Sequence, residues 1–461
     1  MSPRVATSVL LAAPDAFRQP AIYPPPLPEP GAGVLARTVP LAEAERMTAV
    51  QGNILFPHGR RCGLHLFLRF PARDEARRWL AALGREAVRS LPAEIEARRR
   101  REAGEAAGPF AGIALSAAGY DALGLEPPAD AAFRKGMKRA WLNDRPEREW
   151  DDGYRADVHA VLTLADDDWA ALVELAARWR PSAGIQVVAE ERGEELPGER
   201  EHFGFRDNIS QPLFIDEDVD RARRNGGGGR MWDPATPLGV VLAPDPHAPG
   251  EFGSYLAYRK LEQDVAAFDA GIREMAEALG VDEAMAGALV IGRFKDGTPL
   301  TLADRPGLGP ANDFDYTAGR GERCPFSSHV RRSNPRGELD HVSETDDLVN
   351  RIARRSLPYG RPGDSPVGML FFCFQSDIGR QFELIQNNWL NYPHFPRVQV
   401  GPDPIAGQRN SWDPTPGQRW DTTWGGGIGP VKFRFAECVR CRGGEYFFAP
   451  SLTFLHTLEA E

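Results

Sequence analysis

Apolar and polar positions alternate across residues 64–70, with Leu64, Leu66, Leu68 and Phe70 on one face, which predicts a strand. The period then lengthens: Ala76, Trp79, Leu80 and Leu83 recur at helical spacing, predicting a helix that begins at Asp74. The succession repeats. Residues 158–164 read as a strand, Asp166 to Asp168 offer an N-cap, and Trp169, Leu172, Val173 and Ala176 continue helically. Residues 184–190 form a third strand pattern. Beyond residue 250 the order recurs, with strands over 255–261 and 368–375 running into helices over 262–279 and 377–389. Residues 432–442 and 445–450 flank Gly443-Gly444, which signals a hairpin. The pattern predicts an α+β protein of two halves with similar architecture. Residues 1–46 stand apart, rich in Ala and Pro, and read as an extended arm with polyproline character.

Composition narrows the class. Hydrophobic residues make up 42% and charged residues 26% of the 461 residues, as in soluble globular proteins. A net charge of −10 argues against a nucleic-acid surface. No window of roughly 18 apolar residues predicts a membrane span. Neither a twin-arginine pair nor a cleavage site is visible near Met1, so a cytoplasmic location is expected. Five cysteines do not make a disulfide framework. Cys438 and Cys441 form a C-x-x-C without a second pair or histidine for zinc, and Arg442 breaks the haem-attachment pattern, so both read as packing residues. The glycine runs 226–229 and 425–427 lack phosphate-loop spacing.

Three segments carry candidate chemistry. In Cys324-Pro325-Phe326-Ser327-Ser328-His329, followed by Arg331, Arg332 and Arg336, a lone histidine suits haem iron. Guanidiniums behind it suit carboxylates such as the two haem propionates. In His202-Phe203-Gly204-Phe205-Arg206-Asp207-Asn208, a carboxylate sits amid aromatics, as a capping residue or a functional acid. In residues 351–360, arginines interleave with apolar residues ahead of Pro358-Tyr359-Gly360; one turned inward would stabilise growing negative charge. A ligand, a base and a cation are the parts that peroxide heterolysis on haem requires.

Together these segments resemble, in order, those of the dye-decolorising (DyP-type) haem peroxidases. Gly204-Phe205-Arg206-Asp207-Asn208 resembles the family's G-x-x-D-G motif, His329 stands where the proximal ligand lies, and Arg354 where the distal arginine lies. Residues 51–55, 253–265, 292–300 and 442–448 are also similar to family segments. The resemblance implies two ferredoxin-like halves with antiparallel sheets and peripheral helices, over residues 47–200 and 201–461. It implies one non-covalent haem b per chain in the C-terminal half, with Asp207 and Arg354 above the iron and His329 below. Hydrogen peroxide and an electron donor (dyes, phenolics or small reductants) would be the substrates. Asp377 resembles the proximal acid of some branches, its alternative being a helix N-cap. Arg331 or Arg293 would contact the propionates. Asn208 departs from the motif's Gly, and Asn tolerates the left-handed backbone that Gly suggests. For bulky donors, Trp389, Trp412, Trp420, Trp424 and Tyr446 are candidate electron exits. The rival readings are a haem- or porphyrin-binding protein for uptake, storage or iron release, and a cargo or structural role.

Overall fold

The computed structural model describes residues 33–181, 184–317, 322–338, 348–397, 399–408, 417–420, 424 and 431–459. The first half supplies four strands: β1 (Cys62–Arg69), β2 (Phe110–Leu115), β3 (Ala160–Asp166) and β4 (Gln186–Glu194). The second half supplies β5 (Ala243–Pro244), β6 (Phe252–Gln263), β7 (Ala353–Arg354), β8 (Leu357–Tyr359), β9 (Gly368–Gln375), β10 (Gln418–Trp420), β11 (Val431–Phe433) and β12 (Val439–Ala449).

In the first half the strands lie side by side as β4-β1-β3-β2, all antiparallel. The second half repeats the scheme as β12-β6-β9 with the short β8 and β7 beyond. This is the α+β arrangement of two ferredoxin-like halves. Two slender seams join them, the single pairs Phe448↔Leu115 and Gly193↔Tyr359. Because β6 also pairs with β9, the eight strands β6, β12, β2, β3, β1, β4, β8 and β9 close into a hydrogen-bonded circuit.

The alternation in β1 marks two buried faces rather than one. Leu64, Leu66 and Leu68 pack with Ala76, Leu80 and Leu83 of the helix Arg73–Glu86. Phe67 faces inward with Val161, Tyr258, Phe372 and Phe447. His65, also buried, shares a hydrogen bond with Tyr258 Oη at 2.9 Å. The expected cap is in place, with Asp168 accepting from Ala171 N–H to start the helix Trp169–Trp179; the helix expected over 262–279 starts later, at Val265, where Asp264 accepts from Ala267 N–H.

Gly443-Gly444 does not make the expected hairpin; β12 runs straight through it with a bulge opposite Lys260 and Leu261. The glycines serve close approach instead. A Cβ on Gly443 would lie 2.3 Å from the Tyr154 ring, and one on Gly444 2.4 Å from the Tyr258 carbonyl oxygen. The helix expected over 377–389 forms as two π-helical stretches, Gly379–Glu383 and Ile385–Asn391. All five cysteines are buried. No helix among the described residues is long and apolar enough to cross a membrane.

Candidate active site

Side chains on a strand alternate between faces. While Leu256 and Tyr258 of β6 enter the inner core, Arg259, Leu261 and Gln263 point the other way, as do Met369 and Phe371 of β9. These residues form one wall of a cavity of about 300 Å³ in the second half. Asp207, Arg293, His329 and Arg354 all line it.

His329 opens the short helix His329–Ser333. Two fully buried serines anchor its approach: Ser328 Oγ donates to the Leu289 carbonyl at 2.5 Å, and Ser327 Oγ to the Arg419 carbonyl at 2.6 Å. One turn on, the buried Arg332 guanidinium donates to the carbonyls of Trp389, Tyr392, Phe395 and Gly401. Burial pushes this guanidinium down to about 10, against the pull of Asp403. The clip brings Asp403 behind the imidazole. Both carboxylate oxygens lie 3.1 Å from His329 Nδ1. Asp403 Oδ1 also accepts from Ile405 N–H at 2.9 Å and Ala406 N–H at 2.7 Å. Burial works to raise the Asp403 carboxyl, but His329, Arg332 and the Ala406 amide prevail and hold it below its ordinary range. An ionised carboxylate only accepts, so Nδ1 carries a hydrogen and Nε2 is left as the ring nitrogen available to a metal.

Asp207 and Arg354 meet in the same cavity. Arg354 Nη1 donates to Asp207 Oδ1 at 2.9 Å and Nη2 to the Ile209 carbonyl at 3.0 Å. Pairing of β7 with β9 fixes the Arg354 backbone, and its N–H donates to Gln211 Oε1 at 3.1 Å. Asn208 adopts φ 57°, the left-handed conformation that the motif demands. Its amide oxygen meets Gln211 Nε2 at 3.5 Å rather than Asp207. Arg293 is buried at the wall and donates to Gly297 O, Ala311 O and Asn312 Oδ1 at 2.8, 2.7 and 2.9 Å. Burial pushes its guanidinium down to about 10.

The cavity fits a haem in its donor set. One imidazole offers a free ring nitrogen, a buried guanidinium can face an anion, and Phe205, Phe371, Phe382 and Ile405 provide apolar contact. Arg259 Nε and Ser356 Oγ, both at the wall, have no hydrogen-bond partner among the described residues.

Comparison with known proteins identifies the family. The profile of the Dyp-type peroxidase C-terminal region matches residues 235–394. The chain is 39% identical over 453 residues to the multifunctional dye peroxidase DyP2 of Amycolatopsis sp., covering 90% of this chain and 96% of that one. The chain belongs to the DyP-type peroxidase family. Among solved structures, that of DyP2 from Amycolatopsis superposes with a TM-score of 0.87 at 36% identity, covering 92% of this chain and all (100%) of the other. A DyP-type peroxidase from Anabaena superposes with a TM-score of 0.86 at 36% identity, covering 91% and 97%. Enzymes of this family are hydrogen-peroxide-dependent haem oxidoreductases. The rival reading of a porphyrin carrier without turnover receives no support.

Not every residue singled out in this DyP-type chain reaches the cavity. Asp377 does not serve His329; its Oδ1 accepts from Arg380 N–H at 2.9 Å, capping the following helical turn, and Asp403 takes the place expected for it. Arg331 turns away from the cavity, held between the Phe326 and Tyr316 rings and paired with Glu338 at 2.6 Å. Trp389, Trp420 and Tyr446 are buried, so none is a surface exit, and Trp412 lies outside the described residues. Among the described residues the exposed tryptophan is Trp141, at 66%. Two carboxylates escaped sequence reading. Asp403 sits between Pro402 and Pro404 in a coil with no periodicity, and Glu201 precedes the motif that drew attention to Asp207.

Proposed function

We propose that this peroxidase holds one haem b without covalent bonds, with His329 as axial ligand, and oxidises dyes, phenolics or small reductants at the expense of hydrogen peroxide. Haem supplies the redox iron that takes the oxidising equivalents of peroxide and passes them to the donor. The relatives support the donor class, since the curated ones are named dye peroxidases. The observation that carries the residue roles is the single cavity lined by both the Asp207–Arg354 pair and His329.

Asp207 Oδ1 is the group that takes a proton from one peroxide oxygen and returns it to the other, which leaves as water. Arg354 Nη1 stabilises the negative charge that grows on the departing oxygen. Its bond to the Ile209 carbonyl keeps the guanidinium aimed while Asp207 changes protonation. Asp403 holds His329 in the tautomer that can bind metal and strengthens its electron donation. In this reading Arg293, on the cavity wall, is the guanidinium for a propionate, whereas Arg331, off that wall and engaged with Glu338, is not.

The test is a pair of variants. Asp207→Asn and Arg354→Leu retain haem, seen as an undiminished Soret band, while the rate of reaction with peroxide falls on the order of a hundredfold or more for each. Rates equal to the parent in both variants would remove these roles. His329→Ala loses haem or its axial-ligand spectrum, and full retention of both would move the ligand to another histidine.

A further inference from the structure

Glu201 stands on the cavity wall six residues before Asp207 and has no part in the chemistry above. Its carboxylate is occupied on three sides. Oε2 accepts from Phe203 N–H at 2.8 Å, Oε1 from Phe205 N–H at 2.9 Å, and Gln263 Nε2 of β6 donates to Oε2 at 2.6 Å. The backbone repeats the grip: Gly204 N–H donates to the Glu201 carbonyl at 2.8 Å, and Glu201 N–H to the Phe205 carbonyl at 3.0 Å. The 201–205 segment is thus a closed loop around one carboxylate. It leads directly into Asp207, whose own N–H is held by the Glu199 carbonyl at 2.8 Å. We propose that Glu201 is the positioning residue for Asp207, its carboxylate acting as the anchor of the loop and tying that loop to β6. This rests on the role given to Asp207 above.

The anchor has two states. Burial pushes the Glu201 carboxyl up to about 7, the charge of Asp207 adding to the effect while the Phe203 and Phe205 amides and Gln263 oppose it. Ionised, it accepts all three donors. Protonated, one oxygen becomes a donor and an acceptor place is lost. Gln263 Oε1 has no hydrogen-bond partner among the described residues, so turning that amide over would give the new O–H an acceptor. The other ionisable groups around the loop are few. His202 gives Nε2 to the Tyr359 carbonyl, and burial holds its imidazole below the ordinary range. Arg206 is paired with Glu199, and Arg200 donates to the Gly204 and Lys295 carbonyls. Lys295 Nζ lies over the Phe205 ring. Asp207 is held by Arg354. Glu201 is the group among these whose change of state falls near neutrality and is transmitted straight into the loop.

The experiment is hydrogen–deuterium exchange on the haem-loaded protein between pH 6 and 8, corrected for the intrinsic pH dependence of exchange, together with stopped-flow reaction with peroxide. Opening the loop hydrates a carboxylate whose charge burial disfavours, so the amides of Phe203 and Phe205 lose protection as pH rises through about 7, and the peroxide rate shows a limb in the same range. In Glu201→Gln both pH dependences vanish, and protection of residues 202–208 falls about tenfold, since charge-assisted hydrogen bonds give way to neutral ones. Unchanged protection and an unchanged rate profile in Glu201→Gln would overturn the proposal. If that variant does not fold, the parent decides alone: exchange at Phe203 and Phe205 that ignores pH refutes it. Should Asp207→Asn retain full peroxide reactivity, the role of Asp207 fails while the exchange result still judges the anchor.

Discussion

Replacing Asp403 with Asn tests how a buried carboxylate fixes the protonation of the residue before it. The side chain keeps its shape but gains an N–H₂ in place of one oxygen, and two orientations are open. In the first, the amide oxygen stays with the Ile405 and Ala406 N–H groups, at 2.9 and 2.7 Å in the parent, and the N–H₂ faces His329 Nδ1. That N–H₂, 3.1 Å from Nδ1, competes with the oxygen to make Nδ1 an acceptor, which moves the hydrogen to Nε2 and removes the lone pair needed for iron. In the second, the oxygen faces Nδ1 and the ligand tautomer survives, but the N–H₂ confronts two amide N–H donors. Leaving a buried donor unsatisfied costs roughly 1–3 kcal/mol, so two of them cost roughly 2–6 kcal/mol. The first orientation is therefore favoured, and haem binding has to work against it. Loss of such an outer partner weakens metal affinity on the order of 10–100-fold. The assay is titration of haem-free protein with haem at the Soret band, for the parent, Asp403→Asn and Asp403→Glu. The Asn variant shows the weaker binding, and the Glu variant, which keeps the charge, lies between. Haem affinity in Asp403→Asn equal to that of the parent would refute the tautomer reasoning.

Other outcomes follow from the same geometry. Asp377→Asn keeps a competent capping side chain and leaves both haem affinity and peroxide rate unchanged; a loss of haem would return Asp377 to the His329 side. Asn208→Gly relieves a left-handed backbone angle of 57° and shifts stability by no more than about 1 kcal/mol, measured by thermal unfolding. A rate change beyond about tenfold in that variant would mean that the Asn amide does act on the chemistry. Stability should also depend on pH through Glu201. Its carboxyl is raised in the folded chain, so its contribution is fully present below the unfolded value of 4.5 and is lost as pH climbs through about 7, on the order of 3 kcal/mol. Asp403 works in the opposite sense. Its folded value is depressed, so its contribution is present above 3.8 and lost as pH falls below that. Denaturant midpoints measured from pH 3 to 8, with Glu201→Gln alongside, check both signs.

The periodic elements were legible because their signals are local. Leu64, Leu66 and Leu68 announce β1 within a few residues, and Asp168 announces the helix it caps. The segments bearing Asp207, His329 and Arg354 were legible through residue type and through likeness to a family, and they line one cavity. What escaped depends on partners distant in the chain. The inner face of β1 could not be seen as buried, because Phe67 meets Phe447 and Tyr258 only after the circuit closes. Gly443-Gly444 has the composition of a turn, but its glycines answer to Tyr154 and to β6 across the sheet. Asp377 and Asp403 are equally plausible acids by type. The choice between them is made by Arg332, which gathers four carbonyls of residues 389–401 and so carries the chain to the back of His329.

The closed circuit of eight strands bears on solubility. Open sheets expose rows of backbone donors and acceptors that invite a second chain to add on. Here the longest strands find a neighbour on each flank, and the loose ends fall to pieces as brief as Ala243–Pro244 and Ala353–Arg354, too short to template another molecule. Among its described residues, a protein with 42% apolar residues therefore offers little edge for self-assembly, even though only two residue pairs join the strand ladders of its halves.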